Sequence, residues 1–370
     1  MDQDIFEKIT ALRHDIHAHP ELSNHETRTK RVLIEFLKKE TGLEIVDRGL
    51  WFYARYRSGS DRKGIAFRAE LDALPIEDRI DAPYVSQVPG VGHKCGHDGH
   101  MSALAGAACM VDRYGADRDV YFLFQHAEET GDGAPVCADL LREQPIAEIY
   151  GWHNRPGEPF GQIGLRDGTL YDASRGMTVH FHGVSSHAAY PELGHNPAFA
   201  IADMIRELDS VVKKPGYRGL TQATIIRIDV GENAFGTQAH EGSFSLTVRA
   251  EYQAELEAVQ ADLIALAESK AAEYGLTAEY SYCDDFPVTD STPTCNENIR
   301  RACEKLGFPV YEVEKPYRGS EDFGHYTRIV PGAYFEVGTG EDRCQIHTVG
   351  FDIPDETMAV ACDLFFTLSQ

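Results

Sequence analysis

The chain has 370 residues, enough for a large core and more readily two domains than one. Apolar residues make up 42% and charged residues 25%, which excludes a disordered chain, and the longest apolar runs, such as 103–111, are too short to span a bilayer. A formal charge of -24, from 59 acidic against 35 basic residues, argues against nucleic acid or an anionic membrane as a partner.

From Met1 to Ser23 no basic segment is followed by an apolar one, so no signal peptide is read there. Apolar Ile5, Ile9, Leu12 and Ile16 recur at helical spacing. Pro20 and Asn24 mark a break before a second helix containing Val32, Leu33, Ile34 and Leu37. After Gly42 the period changes. Residues 64–69 read as a buried strand ending at polar Glu70 and Asp72, 99–111 as an Ala-rich helix, and 119–125 as another apolar strand. Strand, helix, strand is an α/β rhythm, in which sites lie just beyond the C-terminal ends of strands. Asp72, Glu128 and Glu129 fall at such ends.

The middle follows another order: strand 174–183, helix 196–211, strands 222–230 and 243–252, helix 256–274 and a short strand 278–282. This is the ferredoxin-like succession. It predicts a second domain at 172–281, inserted between catalytic segments 1–171 and 282–370. A helix over 294–306, a strand over 333–337 and a closing helix from Asp355 complete the chain. The eight cysteines, at 95, 109, 137, 283, 295, 303, 344 and 362, are sparse and show no disulfide framework, which points to a reducing cytoplasm.

Three histidines and a cysteine fall within the eight residues from His93 to His100. Core packing explains His93 or His100 singly as well as ligation does. Cys95 and His97 together read as metal ligands, because a thiolate and an imidazole two residues apart can converge on one ion and the glycines allow a tight turn. After the second strand comes His126-Ala127-Glu128-Glu129. Alternation on extended backbone would point the two acids apart, one to metal and one to the water it activates, without saying which is which. His153 and His347, each after a strand-like segment, complete an N/O/S set for two divalent ions.

These residues sit in an ordered series of motifs: Arg13 to Ser23, Arg68 to Pro75, Cys95-Gly96-His97-Asp98, His126 to Glu129, Ser186 to Pro191, Gly319 to Phe323, and His347. The series resembles the M20 metallopeptidases nearly end to end, specifically their amidohydrolase branch with hippurate, indole-acetyl-amino-acid and N-acyl-amino-acid hydrolases. The resemblance implies a zinc-peptidase-like α/β catalytic domain of mixed sheet with an inserted ferredoxin-like α+β lid. It implies two divalent ions, Mn or Zn, with Co or Ni also compatible with the donors. Cys95 matches the bridging ligand, His97 and His153 the ligands of one ion, and Glu129 and His347 those of the other. Glu128 matches the general base and acid. Asp72 matches an acid supporting the ligands, and His187 a lid residue that stabilises the oxyanion once the lid closes. The implied reaction is amide hydrolysis of an N-acylated amino acid, the alternative being a dipeptidase or other exopeptidase of the same family. The implied partner is that small-molecule substrate, and members occur both as monomers and as homo-oligomers.

The sequence departs from the family at three places. Glu70 stands where Asp is usual, and Ser185-Ser186 where two glycines precede His187. Gly231 to Ala239 replaces a Gly-Gly, Asn, Pro pattern whose Asn helps to bind substrate, leaving Asn233 or Gln238 as substitutes. Arg318 reads equally as a holder of a substrate carboxylate and as a surface arginine. A binding protein that merely keeps the shell is disfavoured by the intact Glu128 and ligands. A zinc deaminase is excluded because Pro-Cys-x-x-Cys is absent.

Overall fold

The computed structural model describes residues 1–370 and divides them into two compact units: Met1–Leu170 with Thr289–Lys315 and Glu321–Gln370, and Tyr171–Val288 with Pro316–Ser320. The first unit opens with α1 (Gln3–His17), α2 (Thr27–Glu40), β1 (Glu44–Asp47), β2 (Phe52–Tyr56) and β3 (Gly64–Glu70). It continues through α3 (His97–Tyr114), β4 (Val120–Gln125), α4 (Gly133–Cys137), α5 (Asp139–Glu143), β5 (Ile146–Pro156), β6 (Ile163–Leu165) and β7 (Gly168–Tyr171). The second unit holds β8 (Ala173–His182), α6 (Pro197–Val212), β9 (Thr221–Val230), β10 (Glu241–Ala250), α7 (Gln253–Tyr274) and β11 (Thr277–Phe286). The first then resumes with β12 (Thr289–Ser291), α8 (Pro293–Leu306), β13 (Val310–Glu312), α9 (Gly324–Thr327), β14 (Gly332–Gly340) and α10 (Asp355–Ser369).

In the first unit eight strands form one mixed sheet in the order β1-β2-β4-β3-β5-β14-β6-β13. β3 is parallel to β4 and β5, and β14 is parallel to β5. Every residue of β3 and β4 is buried, which is why both read as largely apolar runs rather than alternating ones. The Ala and Gly content of α3 has a packing cause. A Cβ on Gly106 would come within 2.7 Å of Cys362 Sγ, so α3 and α10 meet closely there. Their apolar faces, with those of α1 and α8, enclose the main core against the sheet. The parallel strands point one way, and Asp72, Glu128, Glu129 and His153 gather at that end.

The second unit is a four-stranded antiparallel sheet, order β11-β8-β10-β9, whose buried side chains pack under α6 and α7. The succession β8-α6-β9-β10-α7-β11 with that strand order is ferredoxin-like. Asn196 caps α6 by accepting from the Ala198 N–H, and Pro197 occupies the first helical position. The expected boundary at 281 falls inside β11. That strand is interrupted by a register shift after Cys283, at the left-handed Asp284 (φ 49°), and resumes pairing at Phe286, so the unit extends to Val288 and also takes in Pro316–Ser320. No helix is long and apolar enough to cross a membrane.

Candidate metal centre

The Cys95–His97 turn rests on a glycine at which any side chain is strained. Gly96 has φ 103°, and a Cβ there would lie 1.9 Å from Asn154 Oδ1. His97 opens α3, and its Nδ1–H donates to the main-chain carbonyl of Asp72 at 3.0 Å and to Asp72 Oδ1 at 3.2 Å. His153 lies within β5, not after it, and donates from Nδ1 to the Asn154 carbonyl at 2.9 Å. With Nδ1–H committed in this way, Nε2 is the nitrogen that each imidazole would offer to a metal.

Cys95 Sγ lies 3.3 Å from His153 Nε2. Cys95, His97 and His153 form one compact group of ligand atoms, and Cys95, Glu129 and His347 form a second, so the five expected ligands come together with the thiol common to both. His93 belongs to neither group. It is buried without a hydrogen-bond partner on either nitrogen, and burial holds its pKa down at about 3.

Two expectations about local backbone do not hold. Glu128 and Glu129 are not on extended strand: Ala127 is left-handed (φ 48°) and a turn follows. Both acids consequently face one imidazole, with His97 Nε2 at 3.8 Å from Glu128 Oε2 and 3.9 Å from Glu129 Oε1. His347 does not end a strand either. It sits in a loop with φ 61°, and its N–H donates to the Lys94 carbonyl at 2.6 Å. Lys94 is itself buried, its ammonium bound to Asp78 and to the Phe351 carbonyl at 2.9 Å. The residue next to Cys95 therefore tethers the distant loop that carries His347.

The donor set suits divalent cations. Glu129 Oε1 is buried without a hydrogen-bond partner. Burial, then Glu129 and Glu128, push the Cys95 thiol well up. Burial raises Glu129 to about 7 against the pull of His97. Burial, then Glu321 and Glu129, push Glu128 well up. A cation on these atoms would reverse all three, stabilising the thiolate and the carboxylates.

Beneath the acids lies a network that the sequence reading left without a role. Buried Arg68 binds Glu70, Asp322, Gln125 Oε1 at 2.8 Å and Glu321 at 3.0 Å. Glu128, Glu321 and Asp322 bring their carboxylates together, and Tyr334 donates to Glu321 at 2.6 Å. The longer side chain at Glu70 reaches His100 Nδ1 at 2.8 Å while keeping Arg68. Arg68, Glu70, Glu321 and Asp322 all lie inside the recognised motifs, so the signal was a buried-strand arginine followed by acids.

Within the second unit, His187 is exposed and its Nδ1 accepts the Ala189 N–H at 3.0 Å, leaving Nε2–H as a donor. The loop bearing it pairs with the divergent segment: Ala188 N–H donates to Gly236 at 3.0 Å and Gln238 N–H to Ser186 at 2.8 Å. The Gln238 side chain is directed to the Pro191 carbonyl at 3.3 Å, whereas Asn233 and Arg318 are exposed.

An α/β sheet that gathers thiol, imidazole and carboxylate donors beside a further buried glutamate at its C-terminal edge defines a metal-dependent hydrolase. Residues 66–370 match the model of peptidase family M20/M25/M40, and the chain belongs to that family. It is 30% identical to the N-acetylcysteine deacetylase of Bacillus subtilis, over all of this chain and 97% of that one. The structure superposes on a dinuclear metal-binding M20 peptidase of Bacillus subtilis with a TM-score of 0.85 and 27% identity, covering 100% of this chain and 98% of the other. An aminobenzoyl-glutamate utilization protein from Klebsiella pneumoniae shares the fold, with a TM-score of 0.75 and 19% identity over 99% and 96% of the two chains. The chain is accordingly a metal-dependent amidohydrolase.

Proposed function

We propose that the chain removes a short acyl group from an N-acylated amino acid, using two divalent ions held by Cys95, His97, His153, Glu129 and His347. The observation that carries this is the pair of ligand groups sharing Cys95, with Glu128 against the same imidazole. When bound, the ions would supply Lewis acidity to the amide carbonyl and to the attacking water; thiolate, imidazole and carboxylate donors suit Zn or Mn. Glu128 takes the proton of that water as it adds to the amide carbon, and returns it to the departing amine nitrogen. Its burial beside Glu321 favours such a proton-holding role. His187 offers its Nε2–H to the oxyanion, a role supported by the Ala189 hydrogen bond that fixes the tautomer. The B. subtilis deacetylase supports an acetyl-sized group, and the M20 peptidase neighbour keeps a dipeptidase as the second reading. Eight free thiols support a reducing, cytoplasmic setting.

The test is amine release from N-acetyl, N-benzoyl and indole-acetyl amino acids alongside dipeptides. It uses metal-stripped protein restored with Mn or Zn, and Glu128→Gln as the control. Metal-dependent turnover of acyl amino acids that disappears in the control is expected. Preference for dipeptides would replace this reading with the peptidase one, and turnover undiminished in Glu128→Gln would remove that residue from its role.

A further inference from the structure

Arg62, Arg118, Arg301 and Lys305 line one cleft of about 550 Å³ in the first unit, with Glu148 as the only acidic side chain. In a chain of net charge -24 this is a local inversion of sign. Arg62 precedes β3, Arg118 precedes β4 and Glu148 lies near the start of β5. Because these strands are parallel, the cleft is at their N-terminal edge, at the other end of the strands from the metal centre.

Glu148 does not neutralise the cleft. It accepts from Arg118 at 2.5 Å, Tyr150 Oη at 2.7 Å and Asn298 Nδ2 at 3.2 Å, so its charge is spent on fixing Arg118 in place. The Arg118 and Glu148 side chains are each 14% exposed, a firm floor rather than two mobile surface groups. Arg301 reaches Glu297 at 3.4 Å, and neither Arg62 nor Lys305 is engaged in an ion pair. Lys305 lies in the last turn of α8, where complementarity to the helix end accounts for a cation. That argument does not extend to Arg62 or Arg118, which lie in loops ahead of strands.

We propose that this cleft binds a small polyanion carrying two or more phosphoryl or carboxylate groups. Its volume falls in the range of small-molecule sites, and Ala302 and Leu368 add apolar wall. Guanidinium forks match both kinds of oxyanion through paired donors. The strong overall negative charge repels an extended polyanion, so the ligand is a compact molecule rather than a nucleic acid.

Pyrophosphate and benzene-1,3,5-tricarboxylate, titrated calorimetrically in metal excess into metal-loaded protein, test this. Each is compared between wild type and the Arg62→Glu/Lys305→Glu variant, whose altered side chains are exposed. Expected is one site per chain that weakens at least about tenfold in the variant, in line with losing two charge-assisted contacts. The tighter arm identifies phosphoryl or carboxylate as the preferred group. Arg301→Ala, which removes a 67% exposed side chain, shifts affinity in the same direction by less. Equal affinity in wild type and the double variant would assign the binding elsewhere and overturn the proposal, as would the lack of saturable binding in both arms.

Discussion

Replacing Asp72 by Asn changes one buried atom and sets three hydrogen bonds against each other. Asp72 Oδ2 accepts from Ser23 Oγ at 2.8 Å and from the Glu129 N–H at 2.9 Å, while Oδ1 accepts from His97 Nδ1 at 3.2 Å. Asn offers one acceptor oxygen where Asp offers two. With its amide nitrogen toward His97, two donors face each other, although the Asp72 main-chain carbonyl still holds the imidazole. With the nitrogen toward Glu129, Ser23 can turn to accept, but the Glu129 N–H is left unmatched. Either arrangement strands one buried donor, a cost of about 1–3 kcal/mol. That agrees with the roughly 10- to 100-fold loss of metal affinity usual when the carboxylate behind a ligand His is altered. Calorimetric titration of metal-stripped wild-type and Asp72→Asn proteins with Zn or Mn measures it, with thermal unfolding as a check on the fold. Activity at saturating metal should recover in large part, because the ligands themselves remain. Wild-type metal affinity in a folded Asp72→Asn protein would refute the reasoning.

Glu128→Gln should lower kcat by about 10²–10⁴-fold while leaving metal content at two per chain, measured by elemental analysis, because it removes a proton carrier and no ligand. Gly96→Ala should destabilise by at least about 1–2 kcal/mol from the left-handed backbone alone, with more from displacing Asn154, and is read by denaturant unfolding. Lys94→Met should release the loop carrying His347 and leave Asp78 short of a partner. Weaker metal binding together with faster proteolysis of the 341–354 loop is the expected pair of readouts. His17 gives a pH signature. Burial opposes its charge, but Asp98 and Asp78 outweigh burial and raise its pKa to about 9. The raised pKa favours the folded state fully below about pH 6.5, by up to about 3 kcal/mol, and this is lost as pH rises through 9. His17→Gln should therefore flatten the fall in unfolding free energy between pH 6.5 and 9.5; an unchanged slope would discount the ion pair.

How far each part was legible depended on whether its cause was local. β3 and β4 were readable because full burial makes a largely apolar run, and α3 because close helix packing demands Ala and Gly. The short strands β1, β6, β12 and β13 have three or four residues each and carry no period to read. The end of the second unit was missed for a related reason: Asp284 interrupts β11, so the alternation stops before the strand does.

The candidate ligands stood out as residue types in ordered motifs, whereas the groups that hold them did not. Arg13 illustrates why. Its guanidinium is buried and binds Asp98 at 2.9 Å together with Asp352 and Asp355, joining α1 to the first turn of α3 and to the start of α10. His17 reaches the same Asp98 from one helical turn further on, at 2.8 Å. In sequence, Arg13 and His17 are part of a recognised motif with no role assigned to them; in the fold, they clamp the residue that follows His97. A buried Asp with two cationic partners cannot move without stranding them, so the clamp fixes α3 at its N-terminal turn, where His97 is carried. Sequence spacing reveals which side chains can bind a metal, but their positions are set by pairs separated by tens to hundreds of residues. A substitution at Arg13 or Lys94 should therefore act on the metal centre as surely as one at a ligand.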